Sequence, residues 1–403
     1  MKILRIIARL NVGGPARHVV WLTQALQSDE FQTTLIAGSI PPGEDDMGYF
    51  ADENGVDPYY LREMSREISP SDIRSLIKLY RRIKAEKPDI IHTHTAKAGT
   101  LGRIAGSIYR WLTWGSLVGR PRRVRMVHTF HGHVFHSYYT PSKTRVFLAI
   151  ERTLARASDR IIVLSEQQLD EINSKFRVGK REQFLIVPLG IDVDQFDLSV
   201  ATRQRLRGEI GAGDNDAIVG FVGRLTEIKN ISLLLQTAAL MRDRLNIKFV
   251  VVGDGHLRQA LEKEAASLGI TENMVFLGNR TDIADIYNSL DIVALTSLNE
   301  GTPLSLIEAM AAGKPVISTA VGGVKDLLGK KLDERDAFAV CERGVRVDSF
   351  EPSDFQAGLS FLIENDGVRN ETAERGKEFI RSRYSKQRLI EDIKRLYREL
   401  NSE

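Results

Sequence analysis

Short β-rich runs alternate with longer segments of helical period along the whole chain, and this rhythm restricts the fold more than any other feature. KILRIIA, TTLIAG, DIIHTH, RMVHTFHG, RIIVLS and FLIVPLG read as strands before residue 190. AIVGFVG, IKFVVVGDG, MVFLGN, DIVALTS and PVISTA repeat the pattern after residue 215. Between them, segments such as 70–86, 230–244 and 352–364 place apolar residues at the spacing of amphipathic helices. Strands separated by helical crossovers run parallel, so two doubly wound α/β sheets are expected. A length of 403 residues accommodates two such domains. We place them at 1–190 and 217–384, joined by the polar, Gly/Asp-rich stretch 191–216 as a linker. The closing helix, about 385–403, is expected to pack back on the first domain.

Two facing domains of this kind leave a cleft where both sets of strand C-termini converge, and ligands of open α/β sheets bind beyond those termini. Residues with chemistry to offer fall there. Gly13 and Gly14 follow the first strand, His131 follows RMVHTF, and Gly223-Arg224 follows AIVGFV. Gly253-Asp254-Gly255 follows KFVV, and Glu300 follows IVALTS.

The stretch NEGTPLSLIEAMAAGKPV, residues 299–316, reads as a helix start with Thr302 as N-cap and Pro303 at the first helical position, closed by Gly313 and Pro315. Glu300 then sits just before the helix. Glu308 lies inside it and is the one charged residue from Gly301 to Ala312, bordering Leu306, Ile307 and Met310. A carboxylate so placed needs donors, which a pair of ribose hydroxyls supplies. The backbone of Gly301, Thr302, Pro303 and Leu304 at the helix N-terminus suits a phosphate. The plain alternative is a helix cap followed by a solvated face. In GRLTEIKN, residues 223–230, Gly223 allows close backbone approach to a phosphate, Arg224 offers a planar fork and Lys229 a point charge. Such cations suit a reaction whose leaving group gathers negative charge, although surface positions would explain the residue types equally.

Taken together these stretches resemble the retaining nucleotide-sugar glycosyltransferases of the GT-B fold, specifically the large bacterial family four, and the likeness covers nearly the whole chain. Glu300 and Glu308 match the family's E-x7-E motif, and GRLTEIKN matches its G-R-L-x-x-x-K-[GN] stretch. The resemblance implies two facing Rossmann-like doubly wound domains with an interdomain cleft. It also implies that Glu300 approaches hydroxyls of the donor sugar, Glu308 binds the ribose, and Arg224 and Lys229 neutralise the diphosphate. Gly13 and Gly14 correspond to the loop whose amides close over the donor phosphates, near Arg17 and His18. His131 is similar to the strand-end histidine that contacts the donor near its reactive carbon. The implied reaction is front-face attack without an enzyme nucleophile, the leaving phosphate helping to deprotonate the acceptor hydroxyl. At Pro15-Ala16 many members carry Ala-Glu instead, so the resemblance assigns no acceptor role there.

Six of the eight histidines, His92, His94, His128, His131, His133 and His136, fall in HTH and HTFHGHVFH. No cysteine accompanies them and no carboxylate intervenes at ligand spacing, so no metal is expected at these residues. Asp192-Val193-Asp194 looks like the acidic metal motif of a different glycosyltransferase architecture, but it sits in GIDVDQF, which resembles the family's G-[IV]-D-x-x-x-F stretch at the hinge. With Arg224 and Lys229 present, the expected enzyme is metal-independent and has no cofactor beyond its UDP- or GDP-sugar donor.

Composition adds a bias in charge. Residues 1–190 hold 28 Lys+Arg and 19 Asp+Glu, a balance of +9; the remainder holds 28 and 34, a balance of −6. The excess in the first half suits an anionic surface, and a membrane is the expected partner rather than nucleic acid. Residues 107–126, SIYRWLTWGSLVGRPRRVRM, set Tyr109, Trp111 and Trp114 beside Arg110, Arg120, Arg122, Arg123 and Arg125, in what looks like an insertion relative to typical members. That composition suits a bilayer interface, with 70–86 extending it through Lys78, Arg81, Arg82 and Lys84. The alternative is a loop with both tryptophans packed inside. A single cysteine, no secretory leader pattern and no run of spanning length point to the cytoplasm, with peripheral docking on the cytoplasmic face of the inner membrane. The expected activity is retaining hexosyl transfer from a UDP- or GDP-sugar to a lipid-linked or polysaccharide acceptor in cell-surface glycan biosynthesis. A nucleotide-sugar epimerase of the same fold and a non-catalytic GT-B subunit are the rivals; an epimerase needs no acceptor.

Overall fold

The computed structural model describes residues 1–11, 13–40, 46–64, 70–131, 141–197, 201–244 and 246–402. The chain divides into two compact units, Met1–Gly190 with Lys386–Glu403, and Ile191–Ser385.

The first unit is built on seven parallel strands: β1 Lys2–Ile7, β2 Gln32–Gly38, β3 Tyr59–Leu61, β4 Ile90–His94, β5 Arg125–Thr129, β6 Arg160–Val163 and β7 Phe184–Ile186, ordered β3-β2-β1-β4-β5-β6-β7. The chain runs outward from β1 to β3, then crosses back to β4 and continues the other way. The switch point lies between β1 and β4. Both central strands are buried beyond the exposed Lys2, as expected of parallel strands covered on two faces, and their remaining residues are apolar except for the buried Arg5, His92, Thr93 and His94.

On one face, helix Ser71–Glu86 contributes Leu79 and Ile83, and helix Ala96–Trp111 contributes Ala98, Leu101 and Ala105, to a core with Leu4, Ile6, Ile36 and Ile91. The second helix lies so close to the sheet that a Cβ at Gly102 would stand 2.5 Å from Thr93 Cγ2. On the other face, Leu22 and Leu26 join Leu389, Ile393, Leu396, Tyr397 and Leu400 of the final helix Lys386–Ser402, packed on Ile3, Ile90, Val127 and Ile162. These five positions form one helical stripe, and burying them contributes on the order of 10 kcal/mol before ordering entropy is subtracted.

The second unit carries β8 Ala217–Val222, β9 Ile247–Val252, β10 Met274–Gly278, β11 Ile292–Leu295, β12 Val316–Thr319, β13 Lys331–Glu334, β14 Ala339–Cys341 and β15 Gly344–Val347, ordered β10-β9-β8-β11-β12-β15-β14-β13. Pairing is parallel from β10 to β15, and β14 and β13 close the edge antiparallel. The switch point lies between β8 and β11.

The described residues of 191–216, a segment expected to be a linker, are instead built into this unit. The Ile191 amide donates to Tyr384 O at 2.7 Å, Phe196 packs edge-on to Tyr287, and Ala201–Glu209 is a helix. Its Arg207 is buried, donating to Gly213 O at 2.8 Å and pairing with Asp291 at 3.3 Å, so a charge that reads as loop-like in sequence saturates turn carbonyls.

Candidate functional site

At the β8/β11 switch point, Gly223 and Arg224 leave β8, a short turn Glu227–Lys229 follows, and Asn230 in the left-handed region starts helix Ile231–Leu240. Arg224 is exposed. Lys229 turns back toward the loop after β11, where its Nζ lies 2.5 Å from Glu300 Oε1. Ser297 Oγ donates to the same oxygen at 2.6 Å. The loops are tied as well as the side chains: Leu298 N donates to Ile228 O at 2.8 Å and Thr296 Oγ1 to Lys229 O at 3.0 Å. From the far side, the Gly323 amide donates to Glu300 O at 3.1 Å, and Gly322, at φ 49, comes so near that a Cβ there would sit 1.8 Å from that oxygen. Glu300 is therefore held by its backbone and by one carboxylate oxygen.

Glu308 is a buried carboxylate on helix Leu304–Ala311, and the Tyr287 hydroxyl donates to its Oε2 at 3.1 Å. Burial, and then the neighbouring carboxylate, push the Tyr287 phenol well above its usual pKa, so it remains a donor at any physiological pH. The solvated-face alternative for Glu308 is excluded by this burial. The helix begins one residue later than the sequence suggests: Pro303, extended at ψ 103, is the cap residue, and neither it nor Thr302 makes a side-chain cap. Pro303 has no N–H to offer. The first helical bond runs from Ile307 N to Pro303 O, so the amides free for an anion are those of Leu304 and its successors, with Gly301 and Thr302 preceding the helix.

In the first unit, Gly13 caps and Gly14 opens helix Gly14–Ala25 after β1, with Gly13 at φ 154, a region that favours glycine. His18 is buried in the second turn of that helix. His94 ends β4, and His131 lies just past β5. The three converge: His94 Nδ1 is 2.9 Å from His131 Nε2, and the His18 ring stands edge-on to His94 and His131 at 5.5 and 4.9 Å. Behind them His92, 4.2 Å from His94 ring to ring, bonds Tyr397 Oη through Nδ1 at 2.6 Å and Thr129 Oγ1 through Nε2 at 2.7 Å, while Arg5 donates to Tyr397 Oη at 3.2 Å. Desolvation holds His18, His92 and His94 well below the usual imidazole range and His131 down to about 4. The imidazoles are therefore neutral at neutral pH.

Of these three, the sequence marks His131 for a role; His18 and His94 join it only in the fold, and the strand-end position of HTH is the signal that points to His94. His133 and His136 lie outside the described residues. Among the described residues, His18, His94 and His131 are the one grouping of His, Cys, Asp or Glu at ligand spacing, and Asp192 and Asp194 join no such group.

Two doubly wound sheets, one with Lys229 and Glu300 paired at its switch point, form the architecture of the GT-B glycosyltransferases. Residues 12–195 match the family described as Glycosyltransferase Family 4, and residues 202–379 match Glycosyl transferases group 1. The chain is 30% identical over 315 residues to the Escherichia coli UDP-Gal:alpha-D-GlcNAc-diphosphoundecaprenol alpha-1,3-galactosyltransferase, covering 77% of each. It is 27% identical over 358 residues to a D-inositol 3-phosphate glycosyltransferase of Corynebacterium jeikeium, covering 84% of this chain and 79% of that one. The crystal structure of Anabaena HepE in complex with UDP shares the fold, with a TM-score of 0.79 at 20% identity over 99% of this chain and 100% of that one. The chain belongs to the family-four glycosyltransferases.

Proposed function

We propose that this glycosyltransferase moves a hexose from a UDP- or GDP-sugar to a lipid-linked or polysaccharide acceptor with retention of configuration. The observation that carries the reading is the Lys229–Glu300 pair at the β8/β11 switch point, where a cation for the leaving diphosphate and a carboxylate for the sugar hydroxyls stand side by side. Lys229 and Arg224 stabilise the diphosphate as the bond from the anomeric carbon to phosphate oxygen breaks. The acceptor oxygen bonds to that carbon on the same face, and its proton passes to the departing phosphate. Glu308, oriented by Tyr287, takes the ribose hydroxyls, and neutral His131 contacts the donor near its reactive carbon. No divalent ion enters these steps, because the two cations supply the charge.

The E. coli relative, named for UDP-Gal and a diphosphoundecaprenol acceptor, supports a uridine donor and a lipid-linked acceptor here. Among the described residues no helix is long and apolar enough to cross a membrane. From exposed apolar and basic side chains on the first unit we propose peripheral contact with the anionic cytoplasmic leaflet. Trp111, Leu112, Trp114, Leu117 and Val118 are all exposed, whereas Tyr109 is buried. Three of the five nearby arginines are engaged internally: Arg110 and Arg125 pair with Asp159 at 3.1 and 3.3 Å, and Arg122 donates to Tyr109 O at 2.7 Å. Arg120 and Arg123 are exposed and supply the complementary charge. On helix Ser71–Glu86, exposed Ile73 and Ile77 lie beside exposed Arg74 and Arg81. The Asp72–Lys97 pair at 2.7 Å aligns the N-terminal ends of this helix and of Ala96–Trp111. A bilayer touching both patches therefore lies along the helices, in the plane favoured by interfacial segments.

The deciding experiment incubates the protein with a panel of nucleotide sugars and polyprenyl-diphosphate-linked or glycan acceptors in the presence of chelator, with NMR of the product linkage. Acceptor-dependent release of nucleoside diphosphate with retained anomeric configuration is expected. Interconversion of sugars without acceptor would establish the epimerase, and nucleotide binding without turnover on any pair would establish a non-catalytic subunit.

A further inference from the structure

We infer that His18, His94 and His131 form a binding site for a transition-metal dication of the zinc type. Three elements deliver them, the helix after Gly13, the end of β4 and the turn after β5, so their meeting is a product of the tertiary fold. One ligand atom from each lies within 4.8 Å of the others. An ion with metal–nitrogen bonds of about 2.0–2.1 Å holds tetrahedral ligands roughly 3.4 Å apart, so modest ring rotations close the set.

The second observation is independent of that spacing. Both ring nitrogens of His18, and Nε2 of His94, are buried and have no hydrogen-bond partner among the described residues. Native interiors rarely leave such atoms unmatched, and an unfilled ion site is a recognised reason for it. Three imidazoles without thiolate or carboxylate select zinc, copper, nickel or cobalt over magnesium and calcium, and they leave a fourth position open. His92, fixed by Tyr397 and Thr129, stacks on His94 and restrains its ring. Arg5 and Arg388 place positive charge near His18, which repels a dication and sets the affinity below that of a charge-free triad.

One consequence rests on the transferase reading above. If His131 contacts the donor, a metal ion that engages it inhibits transfer competitively with the nucleotide sugar, although transfer itself needs no metal.

The test uses the full chain without a polyhistidine tag and titrates cobalt(II), reading the visible bands of tetrahedral cobalt, then displaces it with zinc(II). One cobalt per chain is expected, weakened at least tenfold in His131→Ala and in His94→Gln. His256→Ala, an exposed histidine of the other unit, should bind as wild type. His131→Ala removes a side chain that is only partly buried, and circular dichroism of each variant verifies the fold. Absence of saturable cobalt bands in folded wild type, or binding that persists in both variants, overturns the site. Cobalt binding that leaves the transferase unaffected keeps the site and removes the donor role of His131.

Discussion

The Lys229 ammonium and the Glu300 carboxylate lie 2.5 Å apart, so two groups assigned to different ends of the donor neutralise each other. A nucleoside diphosphate that engages Lys229 must compete with Glu300 for it. The variant Glu300→Gln is therefore expected to bind nucleoside diphosphate more tightly, by about 1 kcal/mol or roughly fivefold, while its turnover falls. Lys229→Ala should lose both affinity and turnover. Calorimetry with UDP and GDP beside initial rates separates the two effects; unchanged or weaker binding in Glu300→Gln would show that Lys229 does not meet the diphosphate.

Tyr287 donates to Glu308 within a buried setting, which restricts the carboxylate that we assign to the ribose. Tyr287→Phe should weaken nucleotide binding by about 1 kcal/mol, and Glu308→Ala by about 1–3 kcal/mol, the range of a charge-assisted contact. A 2′,3′-dideoxy nucleotide should bind both variants and wild type alike. Equal UDP affinity in wild type and Glu308→Ala would dismiss the ribose assignment.

His128 supplies a pH effect whose sign follows from its burial. Its Nδ1 is 2.9 Å from Thr93 Oγ1 and its Nε2 is buried with no partner among the described residues, while Arg103 adds nearby positive charge. Desolvation first, and Arg103 second, hold its pKa well below 6.5. As pH falls below that value the unfolded chain takes up a proton that the folded chain refuses, so the stability present above about pH 6.5 is lost progressively on acidification. Melting temperature should fall between about pH 7.5 and about pH 5 in wild type, with a shallower slope in His128→Gln. Parallel slopes would indicate that His128 takes up its proton equally in the native and unfolded chains, without the depression ascribed to burial.

Membrane contact is tested by sedimentation with vesicles containing anionic lipid. Arg120→Ser with Arg123→Ser should weaken binding by about 1 kcal/mol per residue at low salt and little at high salt. Trp114→Ser with Leu117→Ser, both exposed in the folded chain at 88% and 77%, should weaken it at either. Replacing Arg122 or Arg125 would confuse the result, because both support the local fold. Wild type that stays in the supernatant at low salt would remove the proposed surface.

Much of the fold was legible because its long central strands are apolar runs that only a parallel sheet with two covered faces accommodates, as in AIVGFV and IKFVVV. The elements that the sequence does not announce lie where period and composition are weakest. β3 is three residues at a sheet edge, and β13 reads KLDE, charged and exposed, so neither carries an apolar alternation. The helix Ala201–Glu209 was hidden because its anchor is a buried arginine. At the site, Glu300 and Lys229 were visible from their positions at strand ends. Tyr287 was not, since DIYNSLD looks like any surface helix until Glu308 is seen behind it. His18 and His131 are separated by most of the first unit in sequence, and their approach depends on the order in which β1, β4 and β5 are laid side by side.

The chain leaves the first unit once, after Gly190, and re-enters it once, at Lys386. Within the second unit the two ends meet, Ile191 bridging Ser385 and donating to Tyr384 O at 2.7 Å. In the first, Gly190 rests against Leu389 and Lys386. The half proposed to hold the nucleotide is thus one uninterrupted cassette with adjoining termini, and a gene segment encoding 191–385 can be exchanged between relatives without cutting either sheet. A chimera that carries this segment from a relative therefore tests whether nucleotide preference travels with residues 191–385.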